Sequence, residues 1–137
     1  MRKHTLCLPI LLLLLLFSCK PTDIPEREQY YYIENKTDTV IDVLLRKGTP
    51  SAYDRTFKLI VNEKVESHYQ SGLEGVFAAD FDSAIVIYKN RRLVDSTIVK
   101  PGLLHDESYK LYDVKPGKNI KSYFYVFTID DDYINSH

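Results

Sequence analysis

Residues 29–46 read QYYYIENKTDTVIDVLLR, and the fold class follows from their spacing. Taken in twos, Tyr31 and Ile33 point to one side and Tyr30 and Tyr32 to the other, over a strand from Gln29 to Asn35. The run closes on Asn35-Lys36-Thr37-Asp38, whose short polar side chains bond the local backbone and favour a turn. A second strand follows from Thr39 to Arg46, with Ile41, Val43 and Leu45 on one face. Branched and aromatic residues at a period of two describe half-buried strands, not helices.

Outward from this pair the same pattern continues. Lys47 to Asp54 is a loop with Gly48 and Pro50; Arg55 to Val61 is a strand, and Asn62-Glu63 reads as the turn of a hairpin into Lys64 to Gln70. Gly72 and Gly75 open a loop. Ser83 to Lys89 is apolar on both faces, the mark of a central strand, and hairpins through Asn90-Arg91 into Arg92 to Val99. Pro101-Gly102 and Pro116-Gly117 bracket an irregular stretch with a short strand at Tyr109 to Val114. Lys121 to Ile129 alternates Tyr123, Tyr125, Phe127 and Ile129 against Phe124, Val126 and Thr128. Seven or eight short strands and no convincing helix predict an all-β domain, a single small β-sandwich of immunoglobulin-like type, with a small closed β-barrel as the alternative.

The N-terminus is a different kind of sequence. Arg2, Lys3 and His4 precede an apolar stretch from Leu6 to Phe17 that holds six consecutive leucines. It is too short to span a bilayer, which takes about 20 apolar residues, and it fits the core of a signal peptide. The stretch ends in Leu16-Phe17-Ser18-Cys19, which resembles the lipobox of bacterial lipoproteins. The resemblance implies cleavage before Cys19 and acylation of that cysteine. Residues 1–18 are then signal peptide, 19–28 a polar tether with Pro21 and Pro25, and 29–137 the folded domain. The strand tract from Tyr31, the apolar strand after Phe81-Asp82-Ser83 and the ending Phe127-Thr128-Ile129-Asp130-Asp131-Asp132-Tyr133 resemble the small uncharacterised lipoproteins abundant in the Bacteroidota. That likeness implies compartment and fold, and no activity.

Composition excludes several chemistries. Without Arg2 and Lys3 the 18 basic residues become 16, against 19 acidic ones, so the mature chain carries about −3 and offers no basic footprint for nucleic acid. Cys7 leaves with the signal peptide and Cys19 takes lipid, so the domain holds no disulfide, thiolate metal site or cysteine nucleophile. Ser67-His68 lies on one strand, where neighbouring side chains point apart. His105-Asp106-Glu107 reads as a solvated loop and His137 as a frayed end. Asp130-Asp131-Asp132, with Asp80 and Asp82, offers oxygens of the kind calcium takes, but without EF-hand spacing; the plainer reading is a solvated terminus. No catalytic residue, cofactor or metal is expected.

Eleven tyrosines, six phenylalanines and no tryptophan weaken a sugar-stacking reading; tyrosine can stack or bind protein through its amphipathic ring, and the plainer reading is that the tyrosines simply cover a sheet face. Tyr30, Tyr32, Tyr123 and Tyr125 are the candidate contact surface. Thr39, Ser83 and Ser96, each after an aspartate, resemble the short O-glycosylation acceptor of the phylum. The expected function is a non-catalytic binding or accessory lipoprotein of the outer membrane, facing the periplasm or the surface, held by lipid on Cys19 and contacting an envelope protein. The alternatives are a small hydrolase or metal-dependent enzyme around His68, His105 and the aspartates, or a toxin inhibitor or immunity lipoprotein. Replacing Cys19 with alanine should leave an uncleaved precursor that takes up no labelled fatty acid; label entering the mutant would end the anchor reading.

Overall fold

The computed structural model describes residues 26–48, 54–71, 81–96 and 102–137. They form two four-stranded sheets packed face to face. The long sheet contains β1 (Glu26–Asn35), β4 (Lys64–Ser71), β7 (Lys110–Pro116) and β8 (Ile120–Ile129), in the order β4-β1-β8-β7. The short sheet contains β2 (Ile41–Arg46), β3 (Arg55–Leu59), β5 (Ser83–Tyr88) and β6 (Arg91–Ser96), in the order β3-β2-β5-β6. β1 and β8 run parallel, and the other pairings are antiparallel.

The sandwich forms as the period-two pattern predicts, and the barrel does not, because the sheets keep separate edges. The strands are shared out differently from the immunoglobulin order, in which the first two strands lie in one sheet. Here β1 and β2 lie in opposite sheets.

Alternation places the core. Ile41, Val43 and Leu45 of β2, Leu59 of β3, and Ala84, Val86 and Tyr88 of β5 face Tyr31 and Ile33 of β1 and Phe127 and Ile129 of β8. β5 is central, between β2 and β6. The Gly102–Tyr109 segment adds Leu103, Leu104 and Tyr109 to this core, so part of the predicted irregular stretch is interior packing.

Three sequence expectations change. β1 begins at Glu26, so the sheet takes up the last three residues assigned to the tether. The β5–β6 hairpin turns at Lys89-Asn90, one residue earlier than read; both have positive φ (44° and 64°), as a tight two-residue hairpin requires, and Tyr88 pairs with Arg91. β6 is described to Ser96, and residues 97–99 of its predicted span lie outside the described residues.

The third change is larger. Asn62-Glu63 does not close a hairpin: β3 pairs with β2, whereas β4 pairs with β1 in the other sheet. The reason lies in Asn35. Its N–H donates to the Glu63 carbonyl (2.9 Å), and its own carbonyl accepts from Asn62 N–H (2.8 Å). The turn is therefore bonded to the end of β1, and Asn62, at φ 64°, swings the chain across. The fully buried Asn35 side chain completes the joint. Nδ2 donates to the carbonyls of Thr39 (2.8 Å), Leu59 (3.1 Å) and Ile60 (3.2 Å), while Oδ1 accepts from Thr37 N–H (2.9 Å) and Thr37 Oγ1 (2.8 Å).

Leaving a buried backbone group unsatisfied costs about 1–3 kcal/mol, so Asn35→Ala should destabilise the domain by about 3 kcal/mol. Asn35→Asp, nearly the same shape, turns an acceptor toward three carbonyls and should cost at least as much. Urea midpoints at unchanged slope check both.

Candidate functional site

The strand register builds an aromatic band on the outer face of the long sheet. Tyr30 stands beside Phe124 of β8 and beside Tyr69 of β4. The Tyr30 and Phe124 rings stack at 4.9 Å and 8°, and Tyr69 lies 4.9 Å from Tyr30 on the other side. Tyr32, two residues along β1, meets Tyr112 edge-on at 5.9 Å, and Tyr112 reaches Phe124 at 6.1 Å. Tyr112 is there because β7 shifts register between Leu111 and Asp113.

Charges rim the band. Glu28 accepts from the hydroxyls of Tyr30 (3.2 Å), Tyr69 (3.3 Å) and Ser122 (2.9 Å), and Glu66 from Tyr32 (3.4 Å). Lys64 Nζ sits 4.1 Å from the Tyr112 ring centre and Lys115 Nζ 4.8 Å from that of Phe124. Partial burial, then the Glu28 carboxylate, raises the Tyr30 phenol pKa; burial, then Tyr112 and Glu66, does the same for Tyr32. Both therefore stay neutral donors. Tyr69 and Tyr112 are 42% and 44% exposed, and Tyr30, Tyr32 and Phe124 are half-buried. Flat apolar faces with fixed hydroxyls and both signs of charge at the rim suit contact with a protein surface.

The four tyrosines predicted to act together are divided between two faces. Phe127 and Ile129 are core residues, so alternation puts Tyr125 and Tyr123 on that same inner side of β8. Tyr125 stacks on buried Tyr31 at 5.3 Å and accepts from Arg27 Nη2 (3.1 Å); the Arg27 guanidinium also lies 4.2 Å from the Tyr123 ring centre. Sequence reasoning missed Tyr69, Tyr112 and Phe124. Phe124 was legible from alternation once β8 lies beside β1, whereas Tyr112 depends on a register shift that leaves no periodic mark.

The other singled-out residues belong to the interior. Ser67 and His68 are both buried, contrary to strict alternation, because β4 shifts register against Tyr31/Tyr32. Ser67 Oγ donates to the Tyr31 carbonyl (3.0 Å), and His68 lies edge-on to Phe81. His105 is buried rather than solvated and leads into a short 3₁₀ turn, Asp106–Ser108. Asp130 caps a helix that was not expected, Asp131–Ser136, by accepting from Tyr133 N–H (3.0 Å). Asp80 lies outside the described residues, among which no metal-binding cluster forms.

His137 is not frayed. Its Nε2 lies 2.6 Å from Oδ1 of Asp95, a fully buried carboxylate whose Oδ2 accepts from Tyr133 O–H (2.7 Å) and Leu103 N–H (2.9 Å). A Cβ on Gly102 would fall 2.8 Å from this carboxylate, so only glycine passes there. Ser136 Oγ lies 3.1 Å from His137 Nδ1 but donates to the Tyr133 carbonyl (2.9 Å), the bond of a helix end. The cluster latches the C-terminus onto the sandwich.

Of the O-glycosylation candidates, Thr39 and Ser83 are half-buried beside exposed Asp38 and Asp82. Ser96 follows buried Asp95, which places that motif's acid out of reach in the folded domain; the Ser96 side chain lies outside the described residues. Cys19 also lies outside them.

Burial raises the phenol pKa values of Tyr31, Tyr109 and Tyr133, with Asp106 adding to the first two and Asp95 to the third. Folded values above the unfolded one of about 10 mean that stability is complete below that pH and falls as pH rises toward the folded values. In an alkaline titration, part of the phenolate absorbance should appear only together with loss of the β-sheet circular dichroism.

Comparison with protein-family models, curated proteins and solved structures returns no match.

Proposed function

We propose that this chain is an envelope lipoprotein, anchored in the outer membrane through lipid on Cys19, whose domain works by non-catalytic contact with an envelope protein across the aromatic band. The band of Tyr30, Tyr32, Tyr69, Tyr112 and Phe124 carries the reading: five rings in a continuous chain of contacts, two of them more than 40% exposed. Contiguous aromatic surface of this kind is costly to leave in water and is what contact faces use at their centre. The N-terminal sequence supports the anchor. Lys20 after Cys19 lacks the aspartate that retains lipoproteins in an inner membrane, and Asp23, Glu26 and Glu28 only partly resemble a surface-export signal.

The test replaces the two exposed rings. Tyr69→Ser with Tyr112→Ser should lower capture of envelope partners at least tenfold while shifting thermal unfolding by only a few degrees, since neither belongs to the core. Unchanged capture would overturn the reading. Turnover of a small ester or peptide by the wild-type protein would favour an enzyme instead, and protease shaving of intact cells distinguishes a surface from a periplasmic face.

A further inference from the structure

β1 and β8 run parallel, and this fixes which end of the domain meets the membrane. Glu26, where β1 starts, pairs with Ile120, and Arg27 pairs with Lys121. The β7–β8 turn therefore lies beside the point from which the chain leads back to Cys19. Residues 19–25 number seven, and at about 3.3–3.6 Å per residue they reach no farther than roughly 25 Å. If Cys19 is acylated, on which this inference rests, the turn is held within that distance of the headgroups.

Its composition matches the position. Residues 115–121 read KPGKNIK, three lysines and no acid, in a mature chain whose balance is negative. Lys115, Lys118 and Lys121 are all exposed, and no carboxylate of the described residues forms an ion pair with them. On the neighbouring strand Glu28 is occupied by three hydroxyls, and Glu26 is the acid in register with the tip, opposite Ile120. The turn is tight: Gly117 N–H donates to the Ile120 carbonyl (2.8 Å), and a Cβ on Gly117 would come within 2.6 Å of that oxygen. The turn thus holds the backbone of the three lysines at fixed spacing, with Lys115 Nζ lying over the Phe124 ring.

We propose that the β7–β8 tip is a docking site for the phosphate headgroups of anionic phospholipid, which stands the tethered domain on this end and carries the Asn35 end away from the bilayer. Each lysine at an anionic surface contributes about fivefold, and the effect fades within a Debye length of about 8–10 Å. The anchor makes the contact intramolecular, so docking sets orientation more than affinity.

The mature chain has no thiol besides Cys19, so a dye on Asn119→Cys, at the tip, or on Val61→Cys, in the β3–β4 turn, labels one site. The lipidated protein, its acyl mass confirmed, is placed in phosphatidylcholine vesicles with or without phosphatidylglycerol, each carrying a headgroup quencher. The dye at 119 should be quenched on phosphatidylglycerol vesicles and released by high salt, while that at 61 stays unquenched. Replacing Lys115, Lys118 and Lys121 with glutamine should lower the docked-to-undocked ratio about a hundredfold. Equal quenching on neutral vesicles, or none at 119, overturns docking and leaves the anchor standing; an unmodified Cys19 removes both. Should the triple variant misfold, the salt and lipid dependence of the wild-type sequence decides alone.

Discussion

One buried amide holds the connections of this sandwich in place. Asn35 ends β1, and from there its backbone and side chain bond the β1–β2 turn, the end of β3 and the β3–β4 turn. The β1–β2 and β3–β4 connections are two of the places where the chain passes between sheets, and a chain crossing the rim of a sandwich leaves peptide groups that neither sheet can pair. A side chain with both a donor and an acceptor answers that need. Leucine there would add apolar burial and strand the carbonyls.

The second constraint is the unequal length of the sheets. β1 and β8 each run ten residues, whereas the short sheet has strands of five or six. The surplus inner face around Tyr123 and Tyr125 has less of the facing sheet to cover it. Arg27 lies over these rings, covering apolar surface with its side chain while donating to the Tyr125 hydroxyl. The outer face of the same strands has no third layer among the described residues. Its rings cover one another, and their hydroxyls turn to Glu28 and Glu66 at the rim. Parity along β1 and β8 thus divides their aromatic residues among core, overhang and outer face.

The C-terminus shows how a buried charge can be structural. Asp95 is accommodated because a backbone N–H, a phenol and an imidazole converge on it, two of them from the last five residues. Burying that carboxylate without partners would cost several kcal/mol. Its effect is to tie β6, the Gly102–Tyr109 segment and the C-terminal helix together without a disulfide.

Local chemistry was legible in the amino-acid order wherever a side chain's parity settles its fate. The core faces of β1, β2 and β8, the all-β class and the negative balance all follow from period and composition, because burial of one sheet face selects apolar residues at every second position. The partner of each strand was not legible. Asn62-Glu63 has the composition of a hairpin turn, and only the bonds from Asn35, 27 positions upstream of Asn62, send β4 to the other sheet. Register shifts at Tyr31/Tyr32 and Leu111/Asp113 bury Ser67 with His68 and expose Tyr112, and they arise from strand pairing, which has no local signature. The candidate face was half legible for the same reason: parity marks Tyr30 and Tyr32 as outward, but which rings join them depends on β4, β7 and β8 lying alongside, a matter of long-range pairing that only the tertiary structure decides.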